Sequence, residues 1–188
     1  MTEEVAPLLA PLSAVERLLL HCGALGMIIG GVAASLLGKP RLTADVDVLV
    51  LFSTDRLPDL IAAAASEGLE LRFPDAEAFA RQHRVLLLRH RASGISVDIS
   101  LGLLPFEVEA LQRSTPRELG TVTLRLPTAE DLIILKAVAH RPQDLLDIQG
   151  VIAAHPQLDC RRIERWVKEF AEALQMPQLW NDISSWLT

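Results

Sequence analysis

Residues 28–51 read IIGGVAASLLGKPRLTADVDVLVL, and the order of features in this stretch decides the fold. An apolar run ends in Gly30-Gly31 and passes directly into a short apolar segment, 32–37, which Gly38 closes. The first run predicts a strand, the second a short helix, and the glycine pair a tight connection between them. Residues 45–51, DVDVLVL, are β-branched and apolar apart from two carboxylates at the start. That is the pattern of an interior strand buried on both faces. Asp45 and Asp47 stand two apart, so strand alternation points both side chains to one face of the sheet.

The same reading extends outward. Residues 7–22 have apolar positions at helical spacing, with Gly23 as the stop. Downstream come an Ala-rich helix over 55–67, a strand over 69–73 and a short helix over 75–82. Strands at 85–90 and 95–101 are joined by the turn Ala92-Ser93-Gly94. A helix over 105–112 and a strand over 121–126 follow. After Pro127 the pattern is helical only, at 129–139, 143–154, 159–174 and 177–187. Thr128 and Asp131 resemble a capping box at the first of these. The expectation is an α/β (α+β) fold: a mixed β-sheet flanked by helices over residues 1–126, with a helical C-terminal region, 127–188, packed on it.

Composition narrows the class. A chain of 188 residues, half of them hydrophobic and mostly aliphatic, should bury roughly 70% of its unfolded surface. The formal net charge of −6 argues against a protein that coats nucleic acid non-specifically, which needs surplus Lys and Arg. Cys22 and Cys160 are far apart and lack the neighbours of a metal knuckle or a redox pair, so they read as free thiols in a reducing compartment. Glu3 and Glu4 stand where a signal peptide would be positive. Residues 18–38 carry no formal charge and approach the length of a membrane span, but five glycines divide them into strand, turn and helix. The expected location is the cytoplasm, with no membrane partner.

Chemistry concentrates in a few acidic residues. Two neighbouring carboxylates on a buried strand repel each other, and need either a cation or a water-open strand end. Asp98 stands inside another apolar strand, SVDIS, where a lone Asp is costly unless paired, hydrogen-bonded or on a metal. Free amides at a helix start bind phosphate, and Gly30-Gly31 allows close backbone approach. Each feature has an ordinary explanation alone: a strand edge facing water, a carboxylate bonded to amides, a glycine pair kept for packing.

Together they run Gly30-Gly31, 13 residues, Asp45-x-Asp47, 50 residues, Asp98. This combination resembles the DNA polymerase beta-type nucleotidyltransferase superfamily. It is most similar to small bacterial enzymes grouped with the nucleotidyltransferase toxins of abortive-infection systems. Arg41 and Thr43 stand just before the Asp pair, as is common in those members. Pro127, Glu130, Asp131, Leu132 and Lys136, then Arg141, Asp144 and Asp147, match the later helical pattern. The resemblance spans about residues 28–154.

The resemblance implies transfer of an NMP group from an NTP to an acceptor hydroxyl, releasing pyrophosphate. Asp45, Asp47 and Asp98 would be the catalytic carboxylates and the ligands of two Mg²⁺ ions, with Asp98 on the nucleophile side. Gly30, Gly31, Arg41, Thr43, Lys136 and Asp144 would form the nucleotide site. Many members have Ser where Gly31 stands, so the phosphate contact here would come from backbone amides. The toxin-like pattern implies tRNA as acceptor and an antitoxin protein as partner. Two other readings share the sequence: a non-catalytic nucleotide- or partner-binding module, and an antibiotic-modifying enzyme.

The ordinary alternatives for the nucleotide residues are a solvated loop Arg41, a snorkelling Lys136 at the core rim, and Asp144 and Asp147 as helix-start acids. Two basic runs offer surfaces for RNA: Arg81, His83, Arg84, Arg89, His90 and Arg91, and Arg161, Arg162, Arg165 and Lys168. As with most charge runs, both also read as solvated faces.

Overall fold

The structure is a computed structural model that describes residues 6–187, the side chain of Ala6 excepted. Glu3, Glu4 and Thr188 lie outside the described residues.

The chain starts with a 3-10 turn, Ala6–Leu8, that leads into α1 (Leu9–Cys22). Gly23 ends the helix in the left-handed conformation. Then come β1 (Gly26–Ile29), α2 (Gly30–Leu37) and β2 (Asp45–Val50). A second 3-10 turn, Thr54–Arg56, precedes α3 (Leu57–Ser66), β3 (Leu69–Leu71) and α4 (Ala76–His83). β4 (Val85–His90) and β5 (Ser96–Leu101) form the hairpin, and α5 (Pro105–Arg113) follows. β6 (Thr115–Leu119) and β7 (Val122–Leu126) make a separate two-stranded ribbon. The rest is helical: α6 (Ala129–Ala139), α7 (Pro142–Ala154), α8 (Cys160–Leu174) and α9 (Gln178–Ser184).

The main sheet is mixed, in the order β1-β2-β5-β4-β3. Only the β2–β5 pair is parallel. This places two strands 50 residues apart in sequence side by side at the centre, with Asp47 opposite Asp98 and Asp45 opposite Ser96.

The two faces of the sheet differ. Val46, Val48, Val97, Ile99, Leu86 and Leu88 are buried in one core with Leu12 and Val15 of α1 and Leu57 and Leu60 of α3. The opposite face carries Asp45, Asp47, Ser96, Asp98, Ser100, Leu87 and Arg89, none fully buried. β2 is therefore buried on both faces only from Val48 on, rather than along its whole length. Its first half keeps one face half-open because two carboxylates there need hydration or counter-charge.

Three other differences have physical causes. β6 was not legible as a strand, since it contains Pro116 and four of its five residues are exposed, which leaves no apolar alternation. The last helix stops at Ser184, short of 187. Thr128 caps α6 by accepting from the Asp131 amide, but Asp131 does not complete a capping box. Its carboxylate is buried and accepts from Arg162 Nε (2.8 Å) and Arg113 Nε (3.2 Å), tying α6 to α8 and α5.

Both cysteines are free. Among the described residues, no helix is long and apolar enough to cross a membrane.

The Asp131 clamp yields a stability prediction. Asp131→Ala leaves the Arg162 guanidinium buried with, among the described residues, only Glu109 as its remaining acid (2.6 Å). Urea unfolding should show a loss of about 3 kcal/mol, the scale of a broken buried ion pair. A loss within about 0.5 kcal/mol, typical of surface substitutions, would mean that the clamp is not structural.

Candidate active site

β1 delivers the chain to Gly30, where φ is +63°, a conformation that favours glycine. Space demands it as well: a Cβ at Gly30 would lie 1.8 Å from Asp47 Oδ2. The backbone that opens α2 thus packs directly on the Asp47 carboxylate. Gly31 is fitted to Thr43 in the same way, since a Cβ there would lie 2.4 Å from Thr43 Oγ1. Serine does not fit at position 31 unless Thr43 moves. Thr43 in turn donates its hydroxyl to Asp45 Oδ1 (2.9 Å) and fixes that side chain.

Three carboxylates share this end of the half-open face: Asp45, Asp47 and, from the neighbouring strand, Asp98. Among the described residues, no donor hydrogen-bonds to the Asp47 carboxylate. Burial, then the charges of Asp45 and Asp98, raise the Asp47 pKa to about 6, against the more distant pull of Arg141 and Lys136. Burial also pushes the Asp98 carboxyl up, although Arg72 pairs with its Oδ1 and works in the opposite direction.

A half-buried carboxylate with no donor and two acidic neighbours is a site short of positive charge. The donors are hard oxygens, which suit Mg²⁺. Among the described residues, no three His, Cys, Asp or Glu side chains are already gathered as a metal cage. The donor type suits a divalent cation, but the three carboxylates are not drawn to one point: Asp45 is held by Thr43 and Asp98 by Arg72.

A second cluster flanks the first. Lys136 of α6 is only 3% exposed, so it is not a snorkelling side chain at the rim. Its Nζ contacts Asp144 Oδ1 (2.9 Å) and Asp147 Oδ2 (2.7 Å). Asp147 also takes a two-point contact from Arg41, with Nε at 2.8 Å and Nη2 at 2.9 Å, and one from Gln143 (3.1 Å). Burial opposes ionisation of Asp147, but the hydrogen bonds from Arg41, Lys136 and Gln143 more than offset it and hold the carboxyl at about 2. Asp144 accepts from Arg141 Nε (2.7 Å) and from the Arg141 amide (3.2 Å). Asp144 is thus a helix-start acid that caps α7, but both it and Asp147 are buried against cations rather than solvated. The cluster joins α6, α7 and the loop 38–44 that leads into Asp45. Beside it opens a cleft of about 540 Å³ lined by Lys39, Pro40, Arg41, Gln143, Leu146 and Gly150, among others.

The structure thus brings Gly30, Gly31, Thr43, Asp45, Asp47 and Asp98 together. It sets Arg41, Lys136 and Asp144 in the adjoining ionic cluster. Two residues of this region gave no clear sequence signal. Gln143 could have been found by its i, i+4 spacing to Asp147 on a helix. Arg72 stands alone after a short strand, and only its alternation with Glu70 hinted at its face.

The basic runs are largely neutralised. Arg81 pairs with Glu77, Arg89 and Arg91 pair with Glu70, and Arg84 donates to the Leu101 and Gly102 carbonyls. Arg162 is buried and Lys168 pairs with Glu164, leaving Arg161 and Arg165 exposed on α8 without a carboxylate partner among the described residues.

Solved structures share this fold. An antigenic nucleotidyltransferase-like protein from Paracoccidioides brasiliensis superposes with a TM-score of 0.57 at 16% identity, covering 99% of this chain and 93% of that one. The antibiotic-resistance factor ANT(2'')-Ia, solved in complex with adenylyl-2''-tobramycin, gives 0.57 at 17% identity over 87% of this chain and 98% of its own. The sequence matches, over residues 9–179, the model of a family described as nucleotidyl transferase of unknown function (DUF2204), and the chain belongs to that family. No curated protein matches it.

The raised Asp47 pKa has a stability consequence. Its native pKa lies above its unfolded value, so the fold holds the proton more tightly. Stability is unpenalised below about pH 4 and falls as pH rises through about 6. Asp47→Asn should therefore stabilise the metal-free protein by about 1–2 kcal/mol at pH 7.5, with the gain vanishing near pH 4. Chemical denaturation at the two pH values checks this. Equal stability of the variant and the wild type at pH 7.5 would show that the Asp47 charge is compensated within the protein.

Proposed function

We propose that this protein is a metal-dependent nucleotidyltransferase that moves an NMP group from an NTP to an acceptor hydroxyl and releases pyrophosphate. The observation that carries this reading is the meeting of Asp45, Asp47 and Asp98 on one face of two parallel strands, against the glycine-opened start of α2. In such chemistry the protein mainly positions reactants and neutralises charge.

Asp45 and Asp47 would hold both cations, and Asp98 the one on the acceptor side, with Mg²⁺ the ion best suited to these donors. Bound there, two divalent ions supply charge neutralisation at the attacking and leaving oxygens. Asp98, whose pKa is raised, would accept the proton of the attacking hydroxyl. The amides of Gly30 and Gly31 would receive the triphosphate, with Thr43 fixing Asp45 alongside. Arg41, partly exposed and held by Asp147, would face the phosphates. Lys136 is buried against Asp144 and Asp147 and would serve the nucleotide site indirectly, by fixing those acids and through them Arg41.

For the acceptor, the toxin-like sequence pattern and the exposed Arg161 and Arg165 of α8 favour RNA, such as tRNA. The same pattern points to an antitoxin protein as partner. A small-molecule acceptor is the second reading, favoured by the fold shared with ANT(2'')-Ia.

Calorimetric titration with each NTP and Mg²⁺ tests the core of this reading. The wild type should bind at least one NTP only when Mg²⁺ is present, and Asp45→Ala/Asp47→Ala should abolish the signal. Wild-type protein that binds no NTP under any condition would favour a non-catalytic module of the same fold. Label transfer from the bound NTP to tRNA, or to a hydroxyl-rich small molecule, then separates the two acceptors.

A further inference from the structure

Three strands and the residue just past a fourth line up across the half-open face. Asp47 of β2 pairs with Asp98 of β5, and Asp98 with Leu87 of β4. Arg72, just past β3, donates its amide to the Leu87 carbonyl (3.1 Å) and continues the row. β3 and β5 are two strand spacings apart, about 9.5 Å. The Arg72 side chain spans that gap over Leu87, and its Nη2 pairs with Asp98 Oδ1.

This pairing separates Asp98 from its acidic neighbours. Asp45 is held by Thr43, and the Asp47 carboxylate has no hydrogen-bond donor among the described residues. Asp98 alone of the three has a cationic partner in contact. A guanidinium on Oδ1 and a divalent ion drawn to the same carboxylate repel each other, so the two compete for Asp98. Arg72 has no second carboxylate partner among the described residues and is solvent-accessible, so nothing buried opposes its departure.

We propose that Arg72 is the resting counter-ion of Asp98, competing with the acceptor-side divalent cation for that carboxylate and thereby setting the affinity of that cation site. The inference rests on the nucleotidyltransferase reading above. It concerns assembly of the site, not the chemical step, and makes Arg72 a positioning residue. The nucleotide-side pair, Asp45 and Asp47, is available from the start. The Asp98 side is completed only when the guanidinium is displaced.

Mn²⁺ binding to the full chain, followed by the electron paramagnetic resonance of free Mn²⁺, reads this without any turnover. Arg72→Ala should tighten Mn²⁺ binding about tenfold, the scale of removing one adjacent competing charge. Arg72→Lys, shorter and without the planar fork, should fall between the two. In an Asp98→Asn background, Arg72→Ala should change nothing. Thermal melts of the same variants establish that each is folded. Unchanged or weakened Mn²⁺ binding in Arg72→Ala overturns the proposal. If binding is still lost in Asp45→Ala, the nucleotidyltransferase reading stands without it. Absence of Mn²⁺ binding in every form overturns both.

Discussion

The constraint on which the structure turns is the parallel pairing of β2 with β5, which sets Asp47 directly beside Asp98. Neighbouring strands lie about 4.8 Å apart, so two carboxylates at one register position are forced into mutual repulsion. Asp45, two residues earlier on the same face, adds a third negative charge. A sheet built only for stability would place apolar residues here, as it does on the opposite face with Val46, Val48, Val97 and Ile99. The fold instead packs the backbone of Gly30 against Asp47, which leaves no room for a side chain to shield it.

The surrounding parts supply positive charge at graded distance. Arg72 contacts Asp98, while Arg141 and Lys136 act on Asp47 from further away. The last two belong to a nearly self-neutralising cluster in which Asp144 and Asp147 face Arg41, Lys136 and Arg141. Removing one member of such a buried set leaves an uncompensated charge. The cluster therefore fixes the loop 38–44 and the angle at which β2 starts. The helical C-terminal segment contributes here through α6 and α7, and through Arg162 of α8, which locks onto Asp131.

Much of this was legible in the sequence because it depends on local periodicity. The two-residue spacing of Asp45 and Asp47, the strand–Gly-Gly–helix order and the hairpin at 92–94 need only alternation and turn chemistry. The central sheet and nearly all helices follow from such signals. The register that sets Asp98 opposite Asp47 did not, because no local rule bridges 50 residues; the resemblance only grouped Asp98, on a later strand, with the pair. Lys136 was ambiguous for a related reason, since the acids that let it be buried lie eight and eleven residues later on another helix. Asp131 looked like half of a cap because its true partners, Arg113 and Arg162, come from distant helices. β6 carried no apolar pattern, and Arg72 reaches its partner across an intervening strand.

Diffraction from crystals grown with Mn²⁺ and a non-hydrolysable NTP, recorded at a wavelength where manganese scatters anomalously, tests the central claim most directly. The account predicts an anomalous peak coordinated by Asp45 and Asp47, and the triphosphate against the amides of Gly30 and Gly31. A nucleotide bound elsewhere, or manganese that avoids the carboxylates while nucleotide is bound, would contradict it.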